Sequence, residues 1–76
     1  MDAEHLVEMV NDIANFFAPA AGAEQAPAEV ASHLKRFWEP RMLRQIVEVW
    51  RGGRGHFSEV ARAAVALIAK DAPAQG

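Results

Sequence analysis

An all-α fold, a small bundle of about four short helices, is what this sequence predicts, and three observations carry the prediction. Apolar residues recur at three- and four-residue spacing in four separate stretches. No stretch alternates with the period of two that a strand requires, and Pro and Gly fall where they divide the chain into helix-length pieces. The 76 residues have room for one core, so residues 1–76 read as a single helical domain.

The first helix is expected over residues 3–18. Leu6, Met9, Val10, Ile13, Phe16 and Phe17 fall on one side, with Glu4, Glu8, Asp12 and Asn15 opposite. Asp2 suits the N-cap, because its carboxylate can accept from an amide that has no partner within the helix. Pro19 is expected to stop the helix, leaving the Ala-rich residues 19–27 as a connection. The second helix, over 27–38, carries Val30, Leu34, Phe37 and Trp38 on a single stripe and has Pro27 in its first turn, where no amide hydrogen is needed. It must end before Pro40, since a residue preceding proline is pushed out of the α region.

The third helix is expected over 40–51, closed by Gly52 and Gly53. Its apolar residues Met42, Leu43, Ile46, Val47, Val49 and Trp50 cover an arc of about 160°, where a surface helix needs roughly 100°. Ser58 can cap a fourth helix, over 58–70, that carries Val60, Ala61, Ala64, Val65, Leu67 and Ile68. Residues 71–76 contain Pro73 and no large apolar anchor, and a loose tail is expected there.

The formal net charge of -2 conceals an asymmetry: residues 1–34 hold six acids and no Lys or Arg, whereas residues 35–76 hold all eight bases against four acids. Pairing between the halves is the favoured explanation, with an acidic partner for the second half as the other. Absence of Cys removes disulfides and thiolate metal sites together and suits a reducing compartment. The acidic start lacks the basic segment of a secretory signal, and no apolar run approaches the roughly 20 residues of a membrane span, so a cytoplasmic location is expected.

No reactive constellation is evident. His5, His33 and His56 come without a zinc-binding pattern, and each reads first as an ordinary surface or helix-terminal residue. Ser58 reads as a cap, and Ser32 points about 100° away from His33 and cannot pair with it directly. The run Arg51-Gly-Gly-Arg-Gly55 lacks the Lys-Ser/Thr of a phosphate loop and reads as a helix end and turn in preference to an RNA-binding segment. Catalytic, cofactor-binding and metal-ligating residues are therefore all expected to be absent.

The aromatics are core by default, but helix one also spans an arc of about 180°, and four short helices cannot surround one another completely. Some apolar surface should face a partner. Trp, Met and Arg are enriched at interface centres, and they gather around the turn between helices two and three, making Phe37, Trp38, Pro40, Arg41, Met42 and Trp50 the candidate interface. A small helical nucleic-acid-binding or regulatory protein is the alternative. It rests on Lys35, Arg36, Arg41, Arg44, Arg51 and Arg54, and is disfavoured by the acidic net charge and the lack of a polar recognition face.

Three segments carry a resemblance: Met9-Val-Asn-Asp-Ile-Ala-Asn-Phe-Phe17, then Val30-Ala-Ser-His-Leu-Lys-Arg-Phe-Trp-Glu-Pro-Arg-Met42, then Gly52-Gly53. From Leu6 to Leu67 the chain resembles the delta subunit of cytoplasmic, NAD-dependent, molybdenum-containing formate dehydrogenases, most specifically through residues 33–42. The resemblance implies an accessory subunit without cofactors of its own. Its partner would be the large molybdenum-containing catalytic subunit, in a complex with beta and gamma subunits that oxidises formate to carbon dioxide and reduces NAD. The complex is expected to contain bis-molybdopterin guanine dinucleotide, iron-sulfur clusters, FMN and NAD. The resemblance touches Phe16, Phe17, His33, Phe37, Trp38, Pro40, Arg41 and Met42 and assigns none of them a catalytic role. Arg41 is the expected polar contact with a partner carboxylate.

Overall fold

The structure is a computed structural model that describes residues 2–71. Four helices follow one another: α1 (Ala3–Ala21), α2 (Ala26–Phe37), α3 (Pro40–Arg51) and α4 (Glu59–Asp71). No strand occurs among the described residues. Of the tail expected over 71–76, residue 71 is instead the last of α4, and residues 72–76 lie outside the described residues.

The helix starts follow from local chemistry. Asp2 Oδ1 accepts from the Glu4 amide at 3.3 Å, and Ser58 Oγ accepts from the Ala61 amide at 3.1 Å. Both satisfy donors that lie too near a helix start to find a carbonyl within the helix. Trp38 and Glu39 are extended (ψ 147 and 151), and Pro40 opens α3 with a ring that fits a helix start.

Helix α1 corrects the expectation at Pro19, because it runs to Ala21 and includes that proline. A proline near a helix end forfeits one bond, to the carbonyl of Asn15, and Asn15 and Pro19 are both exposed, where water can serve that carbonyl. The helix stops instead at Gly22, where φ is 85. The Gly22 amide donates to Ala18 and the Gly22 carbonyl accepts from Ala26, so the expected nine-residue connection contracts to residues 22–25.

At the end of α3 the left-handed residue is Gly53 (φ 72) and not Gly52 (φ -77). The Gly53 amide donates to Trp50 and the Arg54 amide to Val49, each at 3.1 Å, the paired bonds that close a helix through a Schellman motif. The loop that follows is held by Asn11 in the middle of α1. Asn11 Nδ2 donates to the His56 carbonyl at 2.8 Å, and the Ser58 amide donates to Asn11 Oδ1 at 2.9 Å. One side-chain amide thus plays the part of a strand neighbour for the loop.

The core draws on every helix: Leu6, Val10 and Ala14 of α1, Val30, Ala31 and Leu34 of α2, Ile46 and Val47 of α3, and Ala61, Ala64, Val65 and Ile68 of α4. Helices α2 and α4 share the most extensive contact, and α2 and α3 the least. Ala31, Ala61 and Ala64 are all buried, and such small residues allow a close approach of helix backbones. Two aromatics from outside the helices, Trp38 and Phe57, close this core at 8% exposure each.

Candidate functional site

Helical spacing placed Phe37 on the same stripe as Val30 and Leu34, but the structure leaves it 68% exposed. Trp38 is the cause. It leaves the helix in an extended conformation and takes the core position at that end, so Phe37 stacks outside on His33, one turn earlier. Phe16 of α1 is likewise 71% exposed.

These residues form one continuous ladder. Phe16 meets Phe17 edge to face with ring centroids 5.2 Å apart, Phe17 meets His33 at 5.7 Å, and His33 meets Phe37 at 4.7 Å. Such spacings are those of favourable aromatic pairs. Between the rings lies an open depression of about 280 Å³, lined by Asp12, Ile13, Phe16, Phe17 and His33. The guanidinium of Arg36 stands 6.0 Å from the Phe37 centroid, at the end of the ladder remote from Asp12.

The expected interface residues therefore separate. Phe37 joins the ladder; Trp38 is buried within the chain; Pro40 and Arg41 are exposed at the start of α3; Met42 and Trp50 are half-buried and pack against the core. The exposed apolar surface is centred on α1 and α2 and not on the turn around Pro40. The resemblance already included Phe16, Phe17 and His33. The wide apolar arc of α1 was the second signal, since an arc of about 180° cannot be fully covered by neighbouring helices.

The charges also depart from expectation. All six acids of residues 1–34 are exposed, and none has a basic partner among the described residues. The one ion pair among the described residues, Lys35 with Asp71 at 2.7 Å, joins α2 to α4 within the basic half. Internal pairing between the halves does not account for the asymmetry. Glu4, Glu8 and Asp12 instead form an exposed row along α1, and Arg41, Arg44 and Arg51 are exposed on α3. The Lys35 ammonium, through its hydrogen bond and then its charge, holds the Asp71 carboxyl below its ordinary value.

His5 and His56 are exposed, and the half-buried His33 lies against two phenyl rings. Among the described residues no group of three or more His, Cys, Asp and Glu could hold a metal ion. No helix among them is long and apolar enough to cross a membrane.

Among known families, the one described as the NADH-dependent formate dehydrogenase delta subunit FdsD matches residues 5–65. The matched segment holds the whole aromatic ladder, Asn11 and the glycine loop. No curated protein and no solved structure matches the chain.

Proposed function

The chain belongs to the family of NADH-dependent formate dehydrogenase delta subunits, and from that premise we propose that it is an accessory subunit, without catalytic residues or cofactors of its own, that binds the large molybdenum-containing catalytic subunit and supports its assembly or stability. The beta and gamma subunits complete the cytoplasmic complex, in which formate is oxidised and NAD reduced. The observation that carries this reading is the aromatic ladder. A chain with a complete core keeps two phenyl rings about 70% exposed on one continuous surface, and an apolar patch of that kind marks an interaction site.

The donor chemistry makes the ladder a poor site for the cofactors of the complex. An iron-sulfur cluster is held mainly by Cys thiolates, and the sequence has no Cys. A pterin dinucleotide or FMN carries phosphates that call for cations or amide donors, whereas the depression on the ladder is apolar and bordered by the carboxylate of Asp12. Formate, an anion, would meet the same repulsion.

Co-expression of the tagged chain with the catalytic subunit, followed by purification at moderate salt and measurement of molybdenum and iron, tests the proposal. Metal is expected with the captured catalytic subunit and not with the chain alone. Omission of the chain should lower the yield or metal content of the catalytic subunit. Failure of the two to co-purify would sink the reading.

A further inference from the structure

We propose that the aromatic ladder and the acidic row of α1 form one docking surface, and that its occupant is an amphipathic segment of the catalytic subunit, with apolar side chains seated between Phe16 and His33 and Lys or Arg laid along Glu8 and Asp12. The inference rests on the accessory-subunit reading and adds the surface and the chemistry of its partner.

Glu4, Glu8, Asp12 and Phe16 succeed one another at four-residue intervals, so they stand in one row along α1, about 6 Å from each to the next. Like charges at this spacing destabilise a helix. The positive end of the helix dipole favours Glu4 in the first turn, but Glu8 and Asp12 lie beyond it, all three carboxylates are exposed, and no cation among the described residues lies within ion-pair distance of them. The row runs directly into the apolar depression, whose lining includes Asp12 itself. A basic side chain beside an apolar one on a partner would neutralise the row and fill the depression together. Arg36 gives the far end of the ladder the opposite sign, so the surface has a direction: the basic end of the occupant lies over α1 and its neutral or acidic end over Arg36.

The same charges argue against phosphate-bearing partners, because a nucleic-acid backbone laid on the ladder would meet Asp12 and Glu8. The ladder also has room for a partner without disturbing the core. Phe16 and Phe37 are largely outside it, and Trp38 and Phe57 already close it.

The test uses the full chain co-expressed with the catalytic subunit. Three variants, Phe16→Ser with Phe37→Ser, Asp12→Asn and Asp12→Lys, are first checked for unchanged helical circular dichroism and a cooperative melt. The double variant should bind the catalytic subunit at least tenfold more weakly. Asp12→Lys should bind more weakly than Asp12→Asn at low salt, and the gap between them should narrow as salt is raised. Wild-type chain that fails to bind defeats the accessory-subunit reading and this inference with it. Wild-type binding accompanied by undiminished binding of the folded double variant, or by equal or tighter binding of Asp12→Lys, overturns the docking surface alone. Self-association of the isolated chain that the same substitutions abolish, seen by light scattering, would assign the ladder to a second copy and overturn the inference as well.

Discussion

Gly53 and Gly55 stand two residues apart in one loop, both with positive φ, yet they carry different constraints. A Cβ on Gly53 would meet nothing within 4 Å, whereas one on Gly55 would lie 3.0 Å from Val7 Cγ2, 3.1 Å from Phe57 Cε2 and 3.3 Å from Val49 Cγ1. Gly53→Ala should therefore cost only the left-handed conformation, about 1 kcal/mol. Gly55→Ala should add overpacking, for a total of about 2–4 kcal/mol. Urea denaturation of both variants separates the terms, and equal losses would show that the contacts at Gly55 relax freely. Asn11 is the other residue on which this loop depends. Asn11→Ala leaves the part-buried Ser58 amide without its acceptor and should cost about 1–2 kcal/mol. Asn11→Asp should do no better, because the atom that replaces the Nδ2 donor is an oxygen facing the His56 carbonyl. A full recovery of stability in Asn11→Asp would show that the bond to His56 contributes nothing. The glycine turn was legible in the sequence, but the Asn11 clasp was not, because its partners lie 45 and 47 residues away and the amide has no periodicity to betray it.

The helices were the most legible elements, since the 3.6-residue period and the caps at Asp2 and Ser58 are local properties of the chain. The failures fall where a local rule meets tertiary or solvent context. Pro19 sits where only one hydrogen bond is lost, so Gly22 and not the proline ends α1. Phe37 shares a stripe with Leu34 but yields the core to Trp38, a competition that no helical wheel records. The contact between α2 and α4 includes an ion pair whose pH dependence is defined. Asp71 titrates below its ordinary value of 3.8 in the folded chain, so its contribution is complete above that value and is lost as pH falls through the folded value. Both side chains are substantially exposed, 43% and 59%, so the pair is screened and its contribution is small. Asp71→Asn should lower the melting temperature slightly at pH 7 in low salt, less than Asn11→Ala does. The difference from wild type should begin to shrink as pH falls past 3.8, vanish once pH is below the folded value, and disappear in high salt. A difference that persists or grows in acid would assign the effect of Asp71 to something other than Lys35.

At the scale of the whole molecule, the sequence revealed that apolar surface exceeds what four helices can bury, but not which part of the excess is left outside. That depends on how Trp38 and Phe57, both beyond helix ends, fold back over the core. The division between structural and interacting aromatics can be measured. A domain of this length has a net stability of about 4–11 kcal/mol. Leu34 is fully buried, so Leu34→Ala should remove about 2–5 kcal/mol of it, a large share of the total. Phe16→Ser with Phe37→Ser removes far more apolar surface, but surface already in water, and each change should alter stability by no more than about 0.5 kcal/mol. Their combined shift in melting temperature should stay within about 8 °C. In the presence of the catalytic subunit the ranking should invert: Leu34→Ala should be rescued in part, because a partner that binds only the folded chain stabilises it by mass action, whereas the double variant gains little. Thermal melts of the isolated chains and proteolysis of the complexes supply the two rankings. A double variant as unstable in isolation as Leu34→Ala would place Phe16 and Phe37 among the residues that hold the fold together.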